Sequence, residues 1–178
     1  MPHPIFTVGH STRPIAEFIG LLKQSDVQHL VDVRKMPRSR TYPQFDGDAL
    51  LASLQQAGIG YEHAASLGGL RSRSRDVPPE TNAFWENASF HNYADYAMTE
   101  PFRSALQSLR ERAHRDRVAI MCSEAVWWWC HRRIIADYLL HAGDPVVHIV
   151  GRDRVEAAKL TPGAVPGPRG TLAYPAAD

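Results

Sequence analysis

Both cysteines of the chain, Cys122 and Cys130, fall in one eleven-residue stretch that also holds Glu124, His131 and Arg132. A thiol, a carboxylate, an imidazole and a guanidinium at such spacing could attack a substrate, move a proton and hold an anion. The stretch starts where the apolar run Val118–Met121 ends and leads into a helical pattern. It therefore reads as a strand-to-helix turn, the place where α/β folds build ligand sites. Helical phase turns Cys130 and His131 inward and leaves Cys122, Glu124 and Arg132 nearer the turn.

Three chemistries are open to this segment. In the first, Cys122 is a nucleophile whose pKa is lowered by the helix N-terminus and by arginines, Arg132 holds an anion, and Glu124, His10 or His131 handles protons. The nine residues between Cys122 and Arg132 are too many for a phosphatase-type loop. In the second, Cys122, Cys130 and His131 hold a metal such as zinc or iron, although C-x7-C-H matches no common zinc module. In the third, the thiols are small core residues and the histidine is satisfied internally.

Two other turns carry polar groups. Gly9, His10, Ser11 and Thr12 follow a short apolar run; Gly9 would let backbone approach a ligand and the next helix would offer free N–H groups. The turn has neither GxGxxG nor GK[ST], which removes support for a dinucleotide or P-loop site. The second turn packs Arg34, Lys35, Arg38 and Arg40 into seven residues, with Ser39 among them. Asp32 sits inside an apolar run and needs a partner if buried; Arg34 has matching parity. The turn reads either as an anion pocket or as a structural Asp–Arg pair with solvated neighbours.

The elements that must position these turns follow from periodicity. Ile5–Val8, His29–Val33, Ile59–His63, Arg117–Met121 and Val146–Val150 read as strands. Ile15, Phe18, Ile19 and Leu22 mark a helix that Ser11 or Thr12 could cap. Leu50, Leu51 and Leu54 mark a second, closed by Gly58. Phe90, Tyr93 and Ala97 resume helical spacing, and Phe102, Leu106, Leu109 and Ala113 form the inward stripe of a helix capped by Thr99. The last helix is predicted over Trp129–His141, with Arg133 set to pair with Asp137. Residues 66–87, with Gly68, Gly69, Arg71, Arg73 and Arg75, read as a long loop of the kind that forms lids. Trp127–Trp129 are expected to wall or cover the site.

Alternating strands and helices with continuous apolar strands predict a single compact α/β domain over residues 1–150, a Rossmann-like three-layer sandwich. Its mostly parallel sheet has about five strands, with helices on both faces. Right-handed crossovers would bring the turns after strands one, two and four to one edge. Residues 151–178 are predicted to be a Pro/Gly-rich tail, packed irregularly or partly flexible.

Composition bounds the function. The 178 residues are 44% hydrophobic and 22% charged, with a net charge of +1. No strong field attracts nucleic acid or membrane. There is no membrane-length apolar run, and the start Met1-Pro-His-Pro shows no leader pattern, so a cytoplasmic location with reduced thiols is expected.

The ordered set Gly9-His10-Ser11, Asp32-Val33-Arg34 with Pro37, Ser39 and Arg40, Gly58-Ile59 with Tyr61, Leu67-Gly68-Gly69, Cys122 with Glu124, and Cys130-His131-Arg132 resembles the bacterial and archaeal family known as domain of unknown function 488 (DUF488). The resemblance runs over roughly Thr7 to Val150. The Ala125–Trp129 insert resembles the longer-insert branch of such proteins. The resemblance implies a compact α/β domain with these residues gathered at one sheet edge, and it implies no settled activity.

The expectation is an enzyme, a hydrolase or transferase with a cysteine nucleophile, acting on a small anionic substrate such as a nucleotide or phosphorylated compound. Its catalytic groups are Cys122, Glu124, His10 and His131. Its ligand-binding groups are Ser11, Asp32, Arg34, Ser39, Arg40, Gly68, Gly69 and Arg132. A metal protein using Cys122, Cys130 and His131 is the first alternative. A single-strand nucleic-acid module using Arg38–Arg40, Arg71–Arg75 and the tryptophans is the second. No cofactor is specified.

Overall fold

The computed structural model describes residues 3–177; Met1 and Pro2, where the leader was sought, and Asp178 of the tail lie outside it. β1 (Ile5–Gly9) leads through α1 (Ile15–Gln24) to β2 (His29–Asp32). α2 (Gly47–Gln56) leads to β3 (Gly60–His63). α3 (Ala88–Tyr96) and α4 (Glu100–Arg115) precede β4 (Val118–Cys122). α5 (Arg132–His141) leads to β5 (Val146–Gly151) and β6 (Arg154–Ala157).

These form a six-stranded sheet of order β3-β2-β4-β1-β5-β6. The sheet is parallel except for β6, which pairs antiparallel with β5. The sequence accounts for the five parallel strands. The sixth lies beyond the sequence reading because Arg154–Ala157 alternates polar and apolar over only four residues, too short to stand out as a strand. Beyond it, β7 (Val165–Pro166) and β8 (Leu172–Ala173) form a small ribbon. Leu172 and Tyr174 are fully buried against the α5 side.

Strand parity divides the interior into two cores. Ile5, Val31, Val33, Val118, Ile120 and Cys122 face α3, α4 and α5. Phe6, Val8, Leu30, Ala119 and Met121 face α1 and α2. The domain is therefore a three-layer α/β sandwich, and the predicted α4 stripe of Phe102, Leu106, Leu109 and Ala113 is its inward face. Because side chains alternate along a strand, the last residue of β4, Cys122, is turned toward the layer that contains α5.

The strand order sets the position of the cleft. β1 and β4 are neighbours, but α1 leaves β1 over one face and α5 leaves β4 over the other. Their connections diverge and open a crevice at the carboxyl ends of the strands, the switch point of an open parallel sheet.

Local details differ from the sequence reading. α1 begins after Pro14, so neither Ser11 nor Thr12 caps it. Ser11 instead takes a left-handed φ of 49°. The last helix starts at Arg132 because Trp127–Trp129 form a 3-10 turn and Cys130 is extended. The long loop contains two 3-10 turns, Ala65–Leu67 and Pro79–Asn82, with Leu67 and Asn82 buried. Arg133 does not pair with Asp137. It donates to Thr161, while Asp137 accepts from the Thr161 N–H and the Tyr174 hydroxyl, which straps the tail onto α5.

Candidate active site

A cleft of about 770 Å³ opens at the switch point. Its floor begins where the β1 and β4 turns meet: the His10 and Ser11 N–H groups donate to the Cys122 and Ser123 carbonyls at 2.9 and 3.0 Å. Gly9 is required there, since a Cβ on it would fall 1.8 Å from the Glu124 carbonyl oxygen. The turns after β1, β2 and β4 thus converge as the topology predicts, and Gly69 and α3 close the opposite wall.

Asp32 is fully buried and accepts from Arg34 in a fork, Nε at 2.9 Å and Nη2 at 2.7 Å. The Arg34 N–H and the Tyr61 hydroxyl also donate to it, at 3.1 and 2.6 Å. Burial disfavours the Arg34 charge, but the fork outweighs it and keeps the guanidinium protonated. Its remaining nitrogen, Nη1, points to His10 Nε2 at 3.5 Å on the cleft side. Asp32 itself does not line the cleft; it orients the arginine that does.

His10 stacks on Phe45, with ring centroids 4.2 Å apart. Its Nδ1 lies 2.9 Å from the Ser11 carbonyl, which can only accept, so Nδ1 carries the proton. Nε2 is left as a lone pair. Burial lowers the pKa, and the Arg34 charge adds to this.

His131 is fixed in the same way. Its Nε2 donates to the Val33 carbonyl at 2.8 Å, which leaves Nδ1 bare and 3.5 Å from Cys130 Sγ. Burial lowers its pKa and favours the neutral ring. Tyr93 packs 4.9 Å from the imidazole, and a side chain at Gly69 would crowd Nδ1 at 3.0 Å. Gly68 meets Lys35 backbone instead, where a Cβ would lie 2.6 Å from Cα, so it positions the wall without lining it.

The two thiols differ. Burial pushes Cys122 well above the ordinary thiol value, and its S–H points to the Glu124 carbonyl at 3.5 Å. Cys130 is also buried, which opposes ionisation. The adjacent Cys122 thiol and the charge and N–H of Arg132 outweigh burial and bring its pKa down. The lowering expected at Cys122 thus falls on Cys130, two residues before the helix.

Arg132 is 1% exposed and does not line the cleft. Its guanidinium donates to the Glu124 and Ala125 carbonyls at 2.9 and 3.0 Å and to Thr7 at 3.1 Å. It braces the β4–α5 loop instead of facing a ligand. Thr7 in turn contacts His148 Nδ1 at 2.6 Å, and His148 stacks flat on Trp127 at 4.4 Å. The signal for this support was present in the sequence: Thr7 and His148 are polar residues in apolar strands, and they pair in register.

Arg40 is exposed and lies outside the cleft, whereas Lys35, Arg38 and Ser39 line it. The loop after β2 bends, with the Arg38 N–H donating to the Met36 carbonyl at 2.9 Å, so neighbouring residues line the cleft together and no strand or helix period assigns them. Glu124 lines the cleft with an exposed side chain, and its carbonyl is the structurally engaged part. The tryptophans separate: Trp127 packs against β5, Trp128 is solvent-facing and Trp129 walls the cleft.

No group of three or more His, Cys, Asp or Glu side chains is placed to hold a metal ion among the described residues. Cys122, Cys130 and His131 do not make up such a group. Arg71 of the basic loop donates to the Ala65 and Gly68 carbonyls and lies 3.8 Å over Tyr96, so it pins the loop. No helix among the described residues is long and apolar enough to cross a membrane.

The fold and site define a class: a parallel α/β domain with a thiol–imidazole pair at its switch-point cleft. The family model described as domain of unknown function DUF488 matches residues 14–139, and the chain belongs to that family. The match takes in the β2 turn, Cys122, Cys130, His131 and Arg132, and it begins after Gly9, His10 and Ser11. No curated protein and no solved structure matches the chain.

Proposed function

We propose that this protein is a cysteine-dependent hydrolase or transferase of a small anionic substrate, with Cys130 as the nucleophile and His131 as its base. The observation that supports this reading is the Cys130 Sγ to His131 Nδ1 approach of 3.5 Å in the cleft, with the imidazole's other nitrogen fixed on Val33. This is the nucleophile, base and orienting-group arrangement of covalent catalysis. Arg34 Nη1, Lys35 and Arg38 would receive the anion, and Ser11 and Ser39 supply further polar contacts.

The Cys130 thiol gives its proton to His131 Nδ1, and the sulfur forms a bond to the electrophilic acyl or phosphoryl centre. The leaving group departs with that proton. Water, or a second acceptor, then attacks the sulfur-linked intermediate; its proton returns through Nδ1 to the released sulfur. Cys122 stays protonated beside Cys130, and the Arg132 N–H, which donates to Cys130 Sγ, stabilises the thiolate.

Alkylation with iodoacetate and iodoacetamide from about pH 5 to 9, followed by peptide mapping, tests the assignment. Cys130 reacts first, at a pH below the ordinary thiol range, and the anionic reagent is favoured relative to its rate on a free thiol. Cys130→Ser removes this reactivity, along with turnover in a panel of aryl esters and monoesters. Preferential reaction at Cys122, or equal slow reaction of both, overturns the assignment.

A further inference from the structure

We infer that the cleft takes a singly charged small molecule with an aromatic or other apolar body, its charged group on the Arg34, Lys35 and Arg38 side and its body against Met36, Leu70 and Trp129. The inference rests on the anion reading above and narrows its substrate class.

The apolar part of the argument comes from exposure. Met36, Leu70 and Trp129 are 63%, 76% and 66% exposed, and all three line this one cleft. They come from three separate segments: the β2 turn, the long loop and the β4–α5 loop. Leu70 is held outward in a left-handed conformation, φ 57°, which a leucine adopts only where surrounding structure imposes it. Lys35 Nζ donates to the Leu70 carbonyl at 3.1 Å and ties that conformation to the β2 turn. An apolar body of ring size would remove all three side chains from water, a favourable transfer that scales with buried area.

The charge part comes from the ionised groups around the cleft. Asp32 offsets Arg34 through the fork, and the cleft lining also holds two cations, Lys35 and Arg38, against one carboxylate, Glu124. One cation remains in excess. A single negative charge is therefore matched, while a polyphosphate would meet no compensating field.

Titration calorimetry with benzenesulfonate, methanesulfonate and benzene-1,3-disulfonate separates the two parts, since none of these probes titrates near neutrality. Benzenesulfonate is expected to bind about tenfold or more tighter than methanesulfonate, the gain of covering the apolar rim. It is also expected to bind tighter than the disulfonate. The exposed-site variant M36A/W129A should remove most of the aryl advantage and leave methanesulfonate unchanged. Equal affinity for the two monosulfonates overturns the apolar body, and tighter disulfonate binding overturns the single charge. If the aryl advantage is absent while Cys130 keeps its preference for iodoacetate, only this inference falls. If Cys130 shows no such reactivity, the catalytic reading falls whatever the sulfonates do.

Discussion

Arg34 and Arg132 are both buried, both follow a strand at the same sheet edge, and both read as anion binders in the sequence. They do opposite things. Arg34 meets a carboxylate, which takes two of its nitrogens and offsets its charge, and the third nitrogen remains for the cleft. Arg132 meets no carboxylate. It divides its donors among two carbonyls and a hydroxyl, and its Nε has no hydrogen-bond partner among the described residues. A buried arginine can serve a ligand when its partner saturates only part of the fork, and it serves the scaffold when neutral acceptors surround it. The thiols repeat the contrast. Cys122 gives its S–H to a carbonyl, while Cys130 receives an N–H and faces a bare imidazole nitrogen.

The largest effect should come from Arg132→Met. It leaves the Glu124 and Ala125 carbonyls and Thr7 without their donor, and the β4–α5 loop without its brace. Each acceptor left without its donor costs about 1–3 kcal/mol. Urea unfolding measures it; a loss under about 1 kcal/mol would mean that Arg132 is not the scaffold arginine.

Arg34→Lys should be milder in stability and sharper in binding. The charge is kept but the fork is not, so Asp32 loses part of its hydrogen bonding, at about 1–3 kcal/mol. Benzenesulfonate affinity should fall at the same time. Calorimetry showing full affinity in this variant would remove Arg34 from the ligand side of the comparison.

The Arg132 support also predicts a pH dependence. Burial, with the charge of Arg132, lowers the His148 pKa to about 3. Its unfolded value is about 6.5. Between those values the unfolded chain binds a proton that the fold does not, so stability falls as pH drops, by up to about 1.4 kcal/mol per pH unit. His10 and His131, also lowered by burial, act in the same direction. Urea midpoints at about pH 7, 6 and 5 should decline, and His148→Gln should flatten the slope relative to wild type. An unchanged slope would place the titration elsewhere.

The smallest effect is Arg40→Ala. Arg40 is exposed and outside the cleft, so stability should move by less than about 0.5 kcal/mol and sulfonate binding should not change. Weaker benzenesulfonate binding in calorimetry would mean that the β2 turn reaches the ligand by a path other than Lys35, Arg38 and Ser39.

Much of the scaffold was legible in the chain. Continuous apolar strands, the α4 stripe and the helix–strand alternation depend on neighbours three or four residues apart, and local periodicity carries that information. The meeting of the turns after β1, β2 and β4 followed from the parallel strands and their crossover handedness. The start of α5, the sixth strand and the partners that hold the tail were not legible. They depend on long-range partners: Arg132 with Glu124 and Ala125, β6 with β5, and Tyr174 with Asp137.

The sequence by itself determined which chemistry is available: two thiols, an adjacent imidazole and a cation-rich turn, each at the end of a strand. Only the tertiary structure decided which member of each pair could act. Burial is similar for both thiols and for both arginines, so the difference lies in the hydrogen-bond partners. Those partners, Asp32 and Tyr61 for Arg34, Thr7 for Arg132, and the Arg132 N–H for Cys130, are assembled by the register of strands and the path of loops. A side chain's ionisation and reach are set by the atoms that meet it in space, and residue type and spacing do not encode them.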